Sequence, residues 1–115
     1  MADLEACERA LERLAAALSR VDPEVRRRRI PTRRLSLHVP DLAAAWEGTI
    51  DEDGLHHIVA ISAEEAEAAE VRFTASSDEL VAVAAEPKTF VRAWLYGRVS
   101  VGARPRDLLE LRRLL

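Results

Sequence analysis

Apolar residues recur at steps of three and four along the first part of the chain, with acids and arginines between them. The apolar stripe consists of Leu4, Cys7, Leu11, Leu14, Leu18 and Val21. This spacing places the stripe on one side of an amphipathic helix, which we predict over residues 3–20. Asp3 is suited to cap the first turn, and Pro23 marks the exit because proline cannot continue a helix.

Three stretches alternate between apolar and polar residues, as half-buried strands do. The first runs from Leu35 to Val39 and ends at Pro40. The second and third flank residues 51–54, whose Asp-Gly pair tolerates the positive φ angles of a hairpin turn. We therefore predict a hairpin over residues 45–61. The residues expected on one face of its returning strand are Leu55, His57, Val59 and Ile61.

Beyond the hairpin the pattern changes towards helices. Residues 62–70 hold only alanine, glutamate and one serine, which is typical of a solvated loop or a short helical turn. Residues 71–75 alternate like a strand, and the capping-box spacing of Ser76 and Glu79 predicts a helix after them. Next come a helix from Pro87, a strand over 98–101 that ends at Gly102, and a last helix from Pro105. The apolar faces of the three helices consist of Leu80, Val83 and Ala84; of Phe90, Val91, Trp94 and Leu95; and of Leu108, Leu111 and Leu115.

This order of elements predicts a single α+β domain over residues 1–115. Strands come first and helices cluster later, which favours a five-stranded, mostly antiparallel sheet with helices packed on one face. The fifth strand follows a crossover of two helices, so we expect it to pair in parallel with a neighbour. A chain of 115 residues has the size of one domain.

The amino-acid composition favours a folded globular domain. Hydrophobic residues make up 49% and charged residues 32% of the chain, as in a folded globular domain. The apolar runs are too short to cross a bilayer, and the N-terminal residues lack the order of a signal peptide, so we expect a cytoplasmic protein. Cys7 is the one cysteine, which excludes an internal disulfide and a zinc site built from several cysteines.

Charge is distributed unevenly along the chain. Residues 20–34 hold seven arginines and two acids, whereas residues 41–70 hold nine acids and no lysine or arginine. The net charge of −3 argues against a nucleic-acid partner for the whole domain. The basic run Arg26, Arg27, Arg28 and Arg29 has two interpretations. It is either a solvated connector balanced by the acidic segment, or a contact for lipid headgroups at an anionic membrane surface.

The sequence gives little support for a catalytic function. The chain has no His-Glu-x-x-His motif, no glycine-rich phosphate loop and no nucleophile elbow. His56 and His57 are adjacent in a predicted strand, so we expect them to point to opposite faces and not to chelate one metal ion. Cys7 lies on the apolar stripe, and we expect it to be buried and inert. We expect no catalytic residue and no enzymatic activity.

From Val71 the sequence reads VRFTASSDELVAVAAEPKTFVRAWLYGRVSVGARPRDLLELRRLL. A strand leads into a Ser-capped helix with a Glu-Leu pair. A second helix ends at Gly97, a short basic-apolar strand is closed by Gly102, and a Leu-rich helix follows. This order resembles the C-terminal half of the sterol carrier protein type 2 family, and the upstream hairpin also fits. Ala103 departs from the Asp or Asn that the family often has after the second glycine.

The resemblance implies an apolar tunnel between sheet and helices that holds a fatty acid, an acyl-CoA or a sterol, and it implies no cofactor and no metal. We therefore expect non-catalytic lipid binding, with peripheral contact to an anionic membrane through the basic run. The expected tunnel-lining residues are Trp46, Phe73, Leu80, Val83, Phe90, Val91, Trp94 and Leu95. The alternative is an interaction module that forms a homodimer or serves a separate enzyme and has no open tunnel.

Overall fold

The computed structural model describes residues 2–20, 24, 32–51 and 53–103. The helices in this part are α1 (Leu4–Ser19), α2 (Ala63–Glu67), α3 (Ser77–Ala85) and α4 (Phe90–Leu95). The strands are β1 (Arg33–Val39), β2 (Ala44–Asp51), β3 (Gly54–Ile61), β4 (Val71–Ala75) and β5 (Val99–Ala103). Short 3-10 turns at Pro40–Leu42 and Pro87–Thr89 precede β2 and α4. The arginine run 26–29 and the predicted last helix from Pro105 lie outside the described residues.

α1 confirms the helix predicted from the first apolar stripe. The Asp3 side chain accepts a hydrogen bond from the Ala6 amide at 2.8 Å, so it caps the first turn as expected. Cys7, Ala10 and Leu11 are buried, whereas the acids and arginines between them are exposed. Burial of this stripe stabilises α1 more than its intrinsic helix propensity does.

The five strands form one mixed sheet in the order β3-β2-β1-β4-β5. β1 pairs with β4 in parallel, and every other pair of neighbours is antiparallel. The parallel pairing expected for the fifth strand is therefore wrong. Ala75, the last residue of β4, pairs with Val99, the first residue of β5. The two helices between these strands bring the chain back to the same end of the sheet, so that β5 runs antiparallel to β4.

The helices divide between the two faces of the sheet. Packing of helices on one face is confirmed for α1, α3 and α4, whose buried apolar side chains belong to clusters against which Leu37 or Phe73 packs. Of the two alternatives for residues 62–70, the short helical turn is confirmed, because this region forms the five-residue α2, which lies against the opposite face. There the buried Ser36 hydroxyl donates a hydrogen bond to the Ala66 carbonyl oxygen at 2.7 Å. We call the two sides the helix face and the polar face.

α2 starts at a complete capping box that the sequence interpretation missed. The Glu65 amide donates to the Ser62 hydroxyl at 3.1 Å, and the Ser62 amide donates to the Glu65 carboxylate at 3.3 Å. The signal was present as the Ser-x-x-Glu spacing. It allows a helix of only five residues to form in a segment without large apolar side chains.

The predicted hairpin is confirmed, since β2 and β3 pair in antiparallel fashion on either side of residues 51–54. Gly54 closes the turn at a φ of +107°, a conformation that favours glycine. The Asp53 amide donates a hydrogen bond to the Asp51 carboxylate at 2.9 Å and tightens the same turn. Both effects are local, which explains why the sequence predicts the turn.

A β-bulge changes the facing of residues in β3. The β2–β3 register shifts between Glu47 and Thr49, and His57 on β3 adopts a φ of +56°. A bulge adds one residue to a strand and so reverses its alternation. Ile58 consequently packs against the interior, and Val59 is 50% exposed. The face predicted for Leu55, His57, Val59 and Ile61 is therefore wrong.

The interior between the sheet and the helix layer consists of two adjoining apolar clusters. The first cluster comprises the buried residues Cys7, Ala10, Leu11, Val39, Trp46, Leu80 and Ala84. The second cluster comprises Ala75, Val83, Ala93 and Val99. Leu14 of α1 packs against both clusters, so that they form one continuous apolar layer.

A side chain from a distant part of the sequence caps α3. Asp41 follows β1, and its carboxylate accepts hydrogen bonds from the Ser77 amide at 3.0 Å and from the Ser77 hydroxyl at 2.5 Å. The Ser76 hydroxyl accepts from the Glu79 amide at 3.2 Å, as the predicted capping box requires. The Glu79 carboxylate does not complete that box and instead lies 3.9 Å from Arg98. The hydrogen bonds from Ser77 hold the pKa of Asp41 below its usual range.

Replacing Ser77 by alanine tests this distant cap. We expect Ser77→Ala to lower the free energy of unfolding at neutral pH by about 1 kcal/mol, because one net hydrogen bond is lost. The lowered pKa of Asp41 makes its contribution complete above the ordinary aspartate pKa of about 3.9 and lost as the pH falls through the lower native value. Urea unfolding of the native protein and the variant at several pH values measures both effects.

The control is Ser76→Ala, which removes an uncharged cap from the same helix. It should lower the free energy of unfolding by about 1 kcal/mol, equally at neutral and acidic pH. The difference between the native protein and Ser77→Ala should instead shrink in acid. A difference that stays constant with pH would contradict the role assigned to Asp41.

Candidate functional site

Three aromatic side chains meet on the helix face near the β5 edge of the sheet. The rings of Phe73 and Phe90 are 5.9 Å apart and edge-on, and the ring of Phe90 is 6.0 Å from that of Trp94. Phe73 faces the helices because its register partners Leu37 and Val101 share that side of the sheet. All three aromatic residues are half-buried, so part of each remains accessible from outside. We call them the aromatic trio.

Local hydrogen bonds at both ends position α4, which carries two members of this trio. The Thr89 hydroxyl donates to the Glu86 carbonyl oxygen at 2.7 Å in the turn that leads into the helix. At the other end Gly97 adopts a φ of +75°, and the Arg98 amide donates to the Ala93 carbonyl oxygen at 2.8 Å. The left-handed glycine after the last helical turn is the one predicted. It lets the chain turn directly from α4 into β5.

Trp46 supplies the largest side chain of the first cluster. It lies on β2 opposite Leu37 and is buried with Leu80 and Leu11. Cys7 is buried in the same cluster, as expected, and this burial, together with nearby aspartates, raises the pKa of its thiol. The thiol therefore stays neutral and contributes apolar volume rather than reactivity.

Most of the expected lining residues lie in or against the apolar layer. Trp46 and Leu80 belong to the first cluster and Val83 to the second, while Phe73 and Phe90 pack against the second. Trp94 lies beside Phe90, and Val91 lies within α4. The structure thus brings Trp46, Leu80, Val83, Phe73 and Phe90 to one side of the sheet, divided between two clusters that adjoin at Leu14. Their role in lining a ligand site stays a prediction.

Leu95 lies outside the interior, unlike the other predicted lining residues whose burial is described, because it is 78% exposed. α4 has only six residues, and its inner side is defined by Phe90 and by Ala93 three positions later. Leu95 lies five positions after Phe90 and is therefore rotated away from that side. Ala93 was missed, although its i, i+3 spacing from Phe90 was a signal.

Acids of the 41–70 segment form ion pairs with arginines at the start of β1. Arg34 Nη2 lies 2.6 Å from a Glu47 carboxylate oxygen, a hydrogen bond that raises the pKa of Arg34. Arg33 Nε lies 3.6 Å from Glu70. These pairs agree with the interpretation that the acidic segment balances the basic one. Contact of residues 26–29 with headgroups lies outside the described residues and stays a prediction.

His56 and His57 form a ring contact instead of pointing to opposite faces. Their ring centroids are 4.7 Å apart, because the bulge at His57 breaks the alternation on which the expectation depended. His56 Nε2 lies 2.6 Å from the Asp51 carboxylate, and this bond lowers the pKa of Asp51. Within the described part of the chain, no three His, Cys, Asp or Glu side chains are grouped so as to hold a metal ion.

Comparison with protein-family models finds no match for this chain, and comparison with curated protein sequences finds none either. Solved structures do match over nearly the whole chain. The crystal structure of Sterol Carrier Protein 2 Like 2 from Aedes aegypti superposes with a TM-score of 0.60 and 15% identity, covering 96% of this chain and 97% of that one. The solution structure of palmitated SCP2L2 from the same organism gives a TM-score of 0.59 and 16% identity, covering 98% and 94%.

Two other solved structures place the same architecture in different settings. The UbiJ-SCP2 ubiquinone synthesis protein matches with a TM-score of 0.57 and 13% identity, covering 96% of this chain and 89% of that one. The sec-alkylsulfatase Pisa1 from Pseudomonas sp. matches with a TM-score of 0.54 and 20% identity, covering 89% of this chain but only 15% of the sulfatase. At these identities the likeness establishes the fold. None of the helices in the described ranges has the length and apolar character needed to cross a membrane.

A pair of alanine substitutions tests the two sides of α4. We expect Phe90→Ala to lower the free energy of unfolding by about 2 kcal/mol, because it removes a half-buried ring from the aromatic trio. Leu95→Ala should change it by less than about 0.5 kcal/mol, since that side chain already faces solvent. Urea unfolding monitored by circular dichroism measures both. A loss for Leu95→Ala as large as that for Phe90→Ala would contradict the outward placement of Leu95.

Proposed function

We propose that this chain, an SCP2-type domain, binds an acyl lipid non-covalently in the apolar layer between its sheet and α1, α3 and α4, without catalysing a reaction. The observation that carries the proposal is the continuity of that layer. Leu14 joins the two clusters, and the half-buried aromatic trio extends the second cluster towards the surface. A lipid chain entering past these rings would reach apolar side chains along its length.

The energy of such binding comes from removing the lipid chain from water. Each buried methylene group contributes about 0.8 kcal/mol, so a long acyl chain is retained without any specific polar contact. Small residues make room for it at a modest structural cost. Ala84 lies in the first cluster, and Ala75 and Ala93 lie in the second. The existence of a palmitated form of an SCP2-like protein with this fold supports an acyl chain as the ligand.

Entry beside α4 is the route that the exposed residues favour. Leu95 and Tyr96 are 78% and 75% exposed, and they directly follow Trp94 in the chain. The exposed cations Lys88, Arg92 and Arg98 lie on the same segment and would attract an anionic headgroup. Peripheral contact of the basic run with an anionic membrane belongs to the same proposal. It would bring the protein to the surface from which the lipid is taken.

Native mass spectrometry of the freshly purified protein is the direct experiment. We expect a mass excess of a lipid that solvent extraction removes, and rebinding of palmitate by the extracted protein. Rebinding should change the tryptophan fluorescence, because Trp94 lies beside Phe90 at the proposed entry. A protein that carries no lipid and binds neither palmitate nor a sterol would overturn the proposal.

Filling the layer with a larger side chain should block the ligand. We expect Val83→Phe to weaken palmitate binding at least about tenfold, because the added volume occupies space beside the second cluster. The matched control is Ala82→Phe, an exposed position on the same helix, which should bind as the native protein does. Ala84→Leu is a second filling variant in the first cluster.

Circular dichroism separates blocking from unfolding in these variants. Folded Val83→Phe and Ala84→Leu proteins that bind palmitate with native affinity would exclude the apolar layer as the site. Folded variants that lose binding while Ala82→Phe retains it would support the layer as the site.

A second candidate function is an interaction module for an enzyme. The observation that favours it is that the same fold occupies 15% of the Pisa1 alkylsulfatase chain, as one part of a larger protein. In that case the layer is a filled core, and an outer surface forms a homodimer or binds the partner. Analytical ultracentrifugation of extracted protein distinguishes the two. A tight, ligand-free dimer that does not bind palmitate favours the module, and a monomer that does bind it favours the lipid carrier.

A further inference from the structure

The polar face carries a pocket that the lipid proposal does not use. Its volume is about 460 Å³, and it lies over β1, β4 and β5 with α2 forming one wall. Six of its eleven lining residues have polar or charged side chains, namely Ser36, His38, Glu67, Arg72, Thr74 and Ser100. Phe73 and Val101, which pack against the second cluster on the helix face, also border the pocket, because they alternate with these polar residues along β4 and β5.

The sheet register arranges the pocket floor in two rows across three strands. Ser36 pairs with Arg72, and Arg72 pairs with Gly102. In the next row on the same face, His38 pairs with Thr74, and Thr74 pairs with Ser100. Directly opposed residues in adjacent strands lie about 5 Å apart, so these groups converge on one area. The convergence requires the parallel β1–β4 pairing.

Arg72 is a fixed cation at the centre of this area. Its Nη1 donates to the main-chain carbonyl oxygens of Ala69 at 3.3 Å and Glu67 at 3.5 Å, which anchors one side of the guanidinium. Its Nε and Nη2 approach Gly102 so closely that a Cβ there would lie 3.1 Å from both atoms. Among the described residues, Arg72 forms no ion pair with a carboxylate. Its charge is therefore available to a ligand.

Three further polar groups of the pocket have no protein partner in the described part of the chain. These are the imidazole of His38 and the hydroxyls of Thr74 and Ser100. Ser36, in contrast, is satisfied by its bond to the Ala66 carbonyl oxygen. The free groups form the row next to Arg72, where each can bond an oxygen held by the guanidinium.

We propose that this pocket binds a small oxyanion, a carboxylate or phosphate group, with Arg72 as its principal ligand and His38, Thr74 and Ser100 as hydrogen-bonding partners. Glu67 and the other acids of α2 limit the charge that the site accepts. They repel extended polyanions such as nucleic acids, while a single carboxylate or phosphate can still reach Arg72. The site is separate from the lipid layer, because its floor lies on the opposite face of the sheet.

The test is a nuclear magnetic resonance titration of the full chain with inorganic phosphate and, separately, with sodium acetate at constant ionic strength. We expect saturable shifts confined to the amides around Arg72, Thr74, Ser100 and Gly102 with at least one of the two probes. Arg72→Gln should weaken the binding at least about tenfold through loss of a charge-assisted bond. Binding of phosphate alone would identify a phosphate site, and binding of acetate alone a carboxylate site. Saturable binding of neither probe overturns the proposal.

Two more variants separate a built site from general charge attraction. Gly102→Ala keeps all charges, and it introduces no positive-φ strain because Gly102 is not in the left-handed region. It should weaken binding severalfold by displacing the guanidinium. Arg9→Gln removes the same charge from an exposed position outside the pocket and should leave the affinity unchanged. An equal loss for Arg9→Gln and Arg72→Gln would overturn the proposal. Unchanged palmitate binding by Arg72→Gln is the further expected result, and its loss in a folded variant would contradict two separate sites.

Discussion

β1 and β4 run side by side in the same direction, and both faces of the sheet depend on this pairing. Its register sets Leu37 beside Phe73 on the helix face and Ser36 beside Arg72 on the polar face. It also brings the ends of both strands to one edge, where Asp41 after β1 reaches Ser77 after β4 and caps α3. A parallel pair needs a long connection, which here consists of the β2–β3 hairpin and α2. That connection places α2 on the far side, where it becomes a wall of the polar pocket.

Local features of the chain could be predicted from the sequence, and features that join distant segments could not. The stripe of α1, its Asp3 cap and the hairpin turn at residues 51–54 each depend on a few consecutive residues. The bulge at His57 lies opposite the register shift at Gly48, where a Cβ would lie 3.0 Å from the Leu55 side chain. No alternation pattern contains that contact. The direction of β5 likewise depends on the path of two helices, which periodicity does not specify.

The two candidate sites also differ in how far the sequence predicts their residues. Helical and strand spacing identified Phe73, Phe90 and Trp94 because burial of large apolar side chains leaves a periodic signal. It failed for Leu95, since a helix of six residues is too short for its inner side to be assigned from neighbours alone. The polar pocket left no signal of this kind. Its residues come from three strands separated by long stretches of chain, and only the register of β1, β4 and β5 shows that they share one area.

Gly102 shows why function must be argued from such sites rather than from the fold. The sequence suggests that it ends a strand, but β5 continues to Ala103. Gly54 and Gly97 adopt positive φ angles that turns require, whereas Gly102 does not. A glycine inside a strand has no side chain to pack and weakens the strand, so the backbone gains nothing from it. In the described part of the chain, the group that gains from the missing Cβ is the Arg72 guanidinium, whose Nε and Nη2 lie 3.1 Å from the position that a Cβ would take. Many sequences can supply the apolar side chains of such a layer, so the fold accounts for that layer. At 13–20% identity to proteins of the same fold, the fold does not account for Gly102, and we attribute this glycine to the oxyanion site proposed beside it.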